Sequence, residues 1–150
     1  MSDFMNKVVS ITLIFIMLVL APLLISYKSD EMMAKRLILN DVTMFIDKAK
    51  DTGSVTEDDL NKIYIQCNSH GIAVNVTVKR LIRTDITKDG KIATVYYSAD
   101  EMNDLLAMNP DDIVKVNVSE IGVSEGRRLM YNVLKIDDGK FEFSLAGAVG

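Results

Sequence analysis

Apolar and polar positions divide the chain into stretches of different period. Residues 8 to 27, VVSITLIFIMLVLAPLLISY, are apolar all round, and the next stretch, KSDEMMAKR, is dense in charge. From residue 31 to about 50 the apolar positions recur at helical spacing, and from residue 72 they alternate as in a half-buried strand.

The apolar run carries no charged side chain, and its polar ones are Ser10, Thr12, Ser26 and Tyr27. As a helix rising about 1.5 Å per residue it reaches roughly 30 Å, the thickness of a bilayer's hydrocarbon core. Ser and Thr hydroxyls can bond back to helical carbonyls, and Tyr27 stands where an interfacial aromatic belongs. A signal peptide has an apolar core of about 7 to 15 residues and a small-residue cleavage site. This run is longer, and LAPLLISYKSD makes a poor site, so an uncut membrane-spanning helix is expected. Pro22 inside it removes a helical hydrogen bond and predicts a bend or weak point. Lys7 precedes the run, whereas Lys28, Lys35 and Arg36 follow it. That bias alone would place the following part in the cytoplasm, but Asp30 and Glu31 dilute it and large domains cross regardless of flanking charge.

After Tyr27 neither Gly nor Pro occurs until Gly53. Ala34, Ile38, Val42, Phe45 and Ala49 form a stripe that Met32, Leu39 and Ile46 would widen. The pattern predicts one helix of about 45 residues, nearly 70 Å long, membrane-apolar first and amphipathic afterwards. A second helix follows, with Ser54 or Thr56 as N-cap and Glu57 or Asp59 at capping-box spacing. It presents Leu60, Ile63, Tyr64 and Cys67, and stops at about His70 before Gly71.

The remainder reads as sheet. Ile72, Val74, Val76 and Val78 alternate with Asn75, Thr77 and Lys79; an Asp89-Gly90 turn leads to KIATVYYS as hairpin partner. A short helix capped by Ser98 with Glu101 is expected next, then a strand burying Val114, Val116 and Val118. Leu129, Met130, Val133, Leu134 and Ile136 fit a helix, a loop or a strand. An Asp138-Gly139 turn then precedes a last strand with Phe141, Phe143 and Leu145 on one face. The fold class expected is α+β: a long N-terminal helix packed on a small antiparallel sheet of about four strands. Residues 1–27 form its membrane half, 28–52 the amphipathic continuation and 53–150 a globular domain. Ile38, Val42, Phe45, Val74, Val76 and Val116 are the expected helix-to-sheet core.

Charge adds little. The net charge of -4 and interleaved signs leave no basic footprint for nucleic acid. Cys67 is the single cysteine, which excludes an internal disulfide and reads best as a buried thiol. His70, the single histidine, reads as a partner of the helix C-terminus. Asp85, Thr87, Asp89 and Gly90 match part of a calcium loop, but Tyr96 occupies the position of the bidentate Glu, and a hairpin explains them better. Asp111 and Asp112 read as turn carboxylates, and the sequons at Asn75 and Asn117 fall on predicted strands. No phosphate loop, nucleophile elbow or metal-ligand cluster occurs, so neither an enzyme, a cofactor nor a small-molecule substrate is expected.

This order of elements resembles type IV pilins and is most similar to the TadE-like minor pilins, or pseudopilins, of tight-adherence (Flp-type) pili. IVKVNVSEIGV, RRLMYNVLKI and KFEFSLAGAVG are similar to the valine-rich strand, Leu-rich connection and last alternating strand of that family. The resemblance covers nearly the whole chain as a layout and is weak as a set of motifs. It implies a bacterial structural subunit of a surface filament or envelope machine, single-pass in the cell membrane with its C-terminal domain extracytoplasmic. Its partners would be the membrane, other pilin-like subunits and an assembly platform. It implies that Ile11, Ile14, Phe15, Leu18 and Ile25 pack against neighbouring helices and that the helix bends or melts at Pro22. One departure is that no acid lies between Val8 and Tyr27, where pilins carry a Glu that pairs with a neighbour's amino terminus. Another is that MSDFMNK lacks the family's cleavage residue. The alternative reading is a single-pass anchored ectodomain that binds a protein or envelope polymer.

Overall fold

The computed structural model describes the chain apart from residues 1, 89–90, 100–104, 106 and 136–138, with side chains also left out at 2, 88, 91, 125, 126, 129, 133 and 134. It is an α+β protein, with a long N-terminal helix packed on a four-stranded antiparallel sheet. The helix comprises α1 (Ser2–Phe15), a π-helical turn (Ile16–Leu20) and α2 (Ala21–Thr52). Then come α3 (Glu57–Asn68), β1 (Val74–Lys88), β2 (Lys91–Ala99), β3 (Ile113–Glu120), α4 (Glu125–Leu134) and β4 (Glu142–Ala148). The chain divides into two compact units, residues 1–33 with 123–139 and residues 34–122 with 140–150.

In the second unit the amphipathic half of α2 meets the sheet. Ala34, Ile38, Val42, Phe45 and Ala49 are all buried, as their spacing requires, and Ile46 joins them. Met32 and Leu39 are exposed, so the stripe is narrower than the sequence suggested. Val74, Val78, Val114, Val116 and Val118 form the sheet side of the same cluster, and Val76 packs on it half-buried. β-branched residues suit this pleated surface. Gly147 of β4 permits the close approach of helix and sheet, since a Cβ there would lie 2.5 Å from Ile46 Cγ2.

Gly53, at φ +64, ends α2, its N–H bonding Ala49 O at 2.9 Å. α3 begins at Thr56, whose hydroxyl accepts from the Asp59 N–H while the Asp59 carboxylate accepts from the Thr56 N–H, a complete capping box. Ile63 and Cys67 of α3 are buried, but Tyr64 is exposed. The helix stops at Asn68 rather than His70, and the Asn68 side chain bonds both backbone groups of Val74.

The strand order is β2-β1-β3-β4. β1 pairs with β3 through 74–81 and with β2 through 80–88, so beyond Leu81 β1 and β2 continue as a two-stranded ribbon. The ribbon absorbs Asp85 and Thr87 into β1, and Thr94 Oγ1 donates to Asp85 Oδ1 at 2.7 Å across the ladder. Ser98 lies inside β2, opposite Leu81, and is therefore not a helix cap. The proposed helix after it and the Asp89-Gly90 and Asp138-Gly139 turns rest on residues outside those described. The segment that fitted three readings is helical as α4, N-capped by Ser124 and ended by Lys135 at φ 58.

Candidate functional site

The apolar run is the feature without a counterpart in an ordinary soluble fold. Ile11, Ile14, Phe15, Leu18, Pro22 and Ile25 are all exposed, and so are most of their neighbours. Only 6% of the helix's most apolar stretch is buried. A core helix of a soluble protein would hide such a stretch, because exposed apolar area costs about 25 cal/mol per Å² in water. By length and composition this helix can cross a membrane.

Its backbone is not uniform. Pro22 has no N–H to give and its ring crowds the carbonyl four residues back, at Leu18. The ladder responds one step upstream: the Ala21 N–H bonds Ile16 O, a five-residue spacing that opens the π turn over Ile16–Leu20. Proline was expected to bend or locally loosen the helix, and a widened π turn stands just before it. Thr12 Oγ1 bonds Val8 O at 2.9 Å, keeping that hydroxyl inside the helix's own ladder.

One face of this segment is covered. Leu24 is buried, and Leu20, Ala21, Lys28 and Glu31, at helical spacing from it, are partly so. Here α4 reaches α2: Arg127 Nη2 donates to Glu31 Oε1 at 2.7 Å, and the two side chains are 4% and 9% exposed. The contact joins positions 96 apart in sequence, beyond any local pattern.

Compared with known proteins, the chain matches no family model, no curated sequence and no solved structure.

Several titratable groups of the second unit are held in structural contacts. Asp112, taken from sequence as a turn carboxylate, is only 1% exposed and accepts from Arg80 Nε at 2.8 Å, Asn109 N at 2.8 Å and Arg83 N at 3.2 Å. Burial pushes its carboxyl up, but those backbone N–H groups and the Arg80 guanidinium together hold it below the ordinary value. Asp111 is a turn residue as expected, at φ 72, and pairs with Arg83. His70 lies just past the end of α3. Its Nε2 lies 2.7 Å from Asp41 Oδ2 on α2, tying the end of α3 to that helix.

Cys67 is fully buried, and burial, assisted by the negative charge of Asp41, pushes its thiol up to about 11. A thiol, an imidazole and a carboxylate therefore occur in this region with no nucleophilic thiolate at neutral pH. The groove between α2 and α3 is lined by Asp41, Met44, Lys48, Asp59 and Lys62 and bridged by the Lys48–Asp59 ion pair. That hydrogen bond from Lys48 is the main cause holding Asp59 below the usual carboxylate range. Among the described residues no group of three His, Cys, Asp or Glu is placed to hold a metal ion.

Proposed function

We propose that this chain is a pilin-like or pseudopilin structural subunit, held in the cell membrane by its N-terminal helix with the sheet domain extracytoplasmic. One observation carries the reading. α2 is a single α-helix from Ala21 to Thr52, so the apolar run passes without a linker into the stripe that builds the domain's core. A simple tether needs no such continuity, whereas a subunit drawn from lipid into a filament needs its apolar helix joined firmly to its domain. In the filament Ile11, Ile14, Phe15, Leu18 and Ile25 exchange lipid for the helices of neighbouring subunits, and the π turn before Pro22 is where the helix yields. Other pilin-like subunits and an assembly platform are the partners.

The absence of an acid between Val8 and Tyr27 favours a second reading, a single-pass anchored binding ectodomain. Intact mass and N-terminal sequence separate the two. A chain trimmed just before the apolar run and present in sheared surface material supports the subunit; a full-length chain confined to membranes supports the anchor. Replacing residues 8–27 with an unrelated apolar helix abolishes assembly in the first case and preserves function in the second.

A further inference from the structure

We propose that the free edge of β2 is an interaction surface for a second copy of this chain, the two β2 strands pairing antiparallel about a two-fold axis at Val95. β2 lies wholly in the second unit, and the pairing asks nothing of the membrane helix.

Backbone is the first argument. β2 stands at one end of the strand order, and among the described residues it pairs with β1 alone. It runs nine residues, longer than the usual five or six. Its register with β1 is unbroken from Arg80↔Ala99 to Lys88↔Lys91, so no bulge turns the edge away. Proteins guard such an edge with proline or charge, and Ile92 to Ala99 holds neither. The longest internal stretch outside the described residues, 100–104, is five residues, too few to run the length of β2. Beyond Leu81 the two strands form a ribbon, and two strands alone are marginal in water. Ile82, Ile86, Ala93, Val95 and Tyr97 share one of its faces, because opposed residues of an antiparallel ladder lie on the same side. Ile86, Val95 and Tyr97 are 38%, 37% and 51% exposed. A second ribbon alongside makes four strands of two.

Charge complementarity selects the occupant. In KIATVYYSADE, Lys91 opens the strand and Asp100 and Glu101 follow it, with eight uncharged residues between. Two antiparallel copies lay the basic start of each strand against the acidic sequence that ends the other, whereas parallel copies would set like on like. About Val95 the opposed positions are 91 with 99, 93 with 97 and 94 with 96. Lys91 then meets Ala99, one position before Asp100, and not a second lysine. Thr94 opposite Tyr96 is a β-branched residue against an aromatic, a favourable cross-strand pair. Because each copy offers the same edge, the contact is isologous and closes at two copies.

The test uses the full chain in detergent and reads position 95 itself, since apolar helices can associate for reasons of their own. The parent holds only the buried Cys67, so Val95→Cys adds one accessible thiol at the axis, and Ile65→Cys, 67% exposed on α3, is the control. Under mild oxidation the thiol at 95 should form a disulfide-linked dimer about a hundredfold faster than the one at 65, because pairing makes the reaction intramolecular. Val95→Lys and Val95→Glu should each weaken the dimer by about fivefold, like charges then standing opposite each other, and an equal mixture of the two should recover it. Cys67 staying unreactive in both charge variants shows that the fold is kept. Cross-linking at 95 no faster than at 65 would overturn the pairing and leave the edge to a strand from a different protein. A mixture as weak as either charge variant alone would overturn the two-fold at Val95.

Discussion

Arg80 and Asp112 meet through two donors on one carboxylate oxygen, the Arg80 Nε and Nη2 both donating to Asp112 Oδ2. Arg80 also donates from Nη1 to Ala107 O at 2.8 Å, so one buried guanidinium fastens the connection before β3 to the middle of β1. Removing one partner of such a buried pair leaves the other charge stranded. Asp112→Ala should cost about 3–5 kcal/mol in denaturant unfolding of the detergent-solubilised protein.

The same carboxyl sets an acid limit. Its folded value lies below its unfolded one, near 3.9, so the stability it adds is complete above that value and is lost as pH falls through the folded value. Unfolding free energies measured from about pH 5 down to about pH 2 should fall less steeply in Asp112→Asn than in the parent. An unchanged slope would place the acid sensitivity in other carboxylates.

Gly147 marks the tightest approach of helix to sheet. An added Cβ would meet Ile46 Cγ2 at 2.5 Å and Lys50 Cδ at 2.8 Å; the lysine can swing aside, but the β-branched Ile46 is buried and stiff in its helix. Gly147→Ala should destabilise by about 1–3 kcal/mol. Paired with Ile46→Ala it should cost less than the two single changes added, and strict additivity in the double-mutant cycle would refute the contact.

Cys67 should behave as an opening sensor. With its thiol up at about 11 and no exposed surface, it reacts with a disulfide reagent at neutral pH only when α3 lifts from the core. Modification should therefore track unfolding and speed up in Asp112→Ala. Rapid labelling of the native protein would contradict this.

Pro22→Ala restores an N–H and removes the ring's clash with the preceding turn. Amide exchange over residues 16–22 in micelles should slow as the π turn gives way to regular α-helix, with the segment stabilised by up to about 3 kcal/mol. Unaltered exchange there would mean that the π turn has a cause other than the proline.

Periodicity carries local information, and the sequence alone determined whatever rests on it. The apolar run at residues 8–27, the buried stripe Ala34–Ile38–Val42–Phe45–Ala49, the alternation of Val114, Val116 and Val118 and a capping box starting at Ser54 or Thr56 are each written within a few turns or one strand. Each is decided by which face of one element is apolar or by one capping side chain. Tertiary structure decided what depends on distant partners. Asp112 became a buried ion pair through Arg80, 32 positions away; His70 became a link to α2 through Asp41, 29 away; α4 docked on the N-terminal helix through Glu31, 96 away. A carboxylate in a turn and one buried beneath a guanidinium look alike in sequence, because what separates them is desolvation and pairing, and both exist only after the chain has folded.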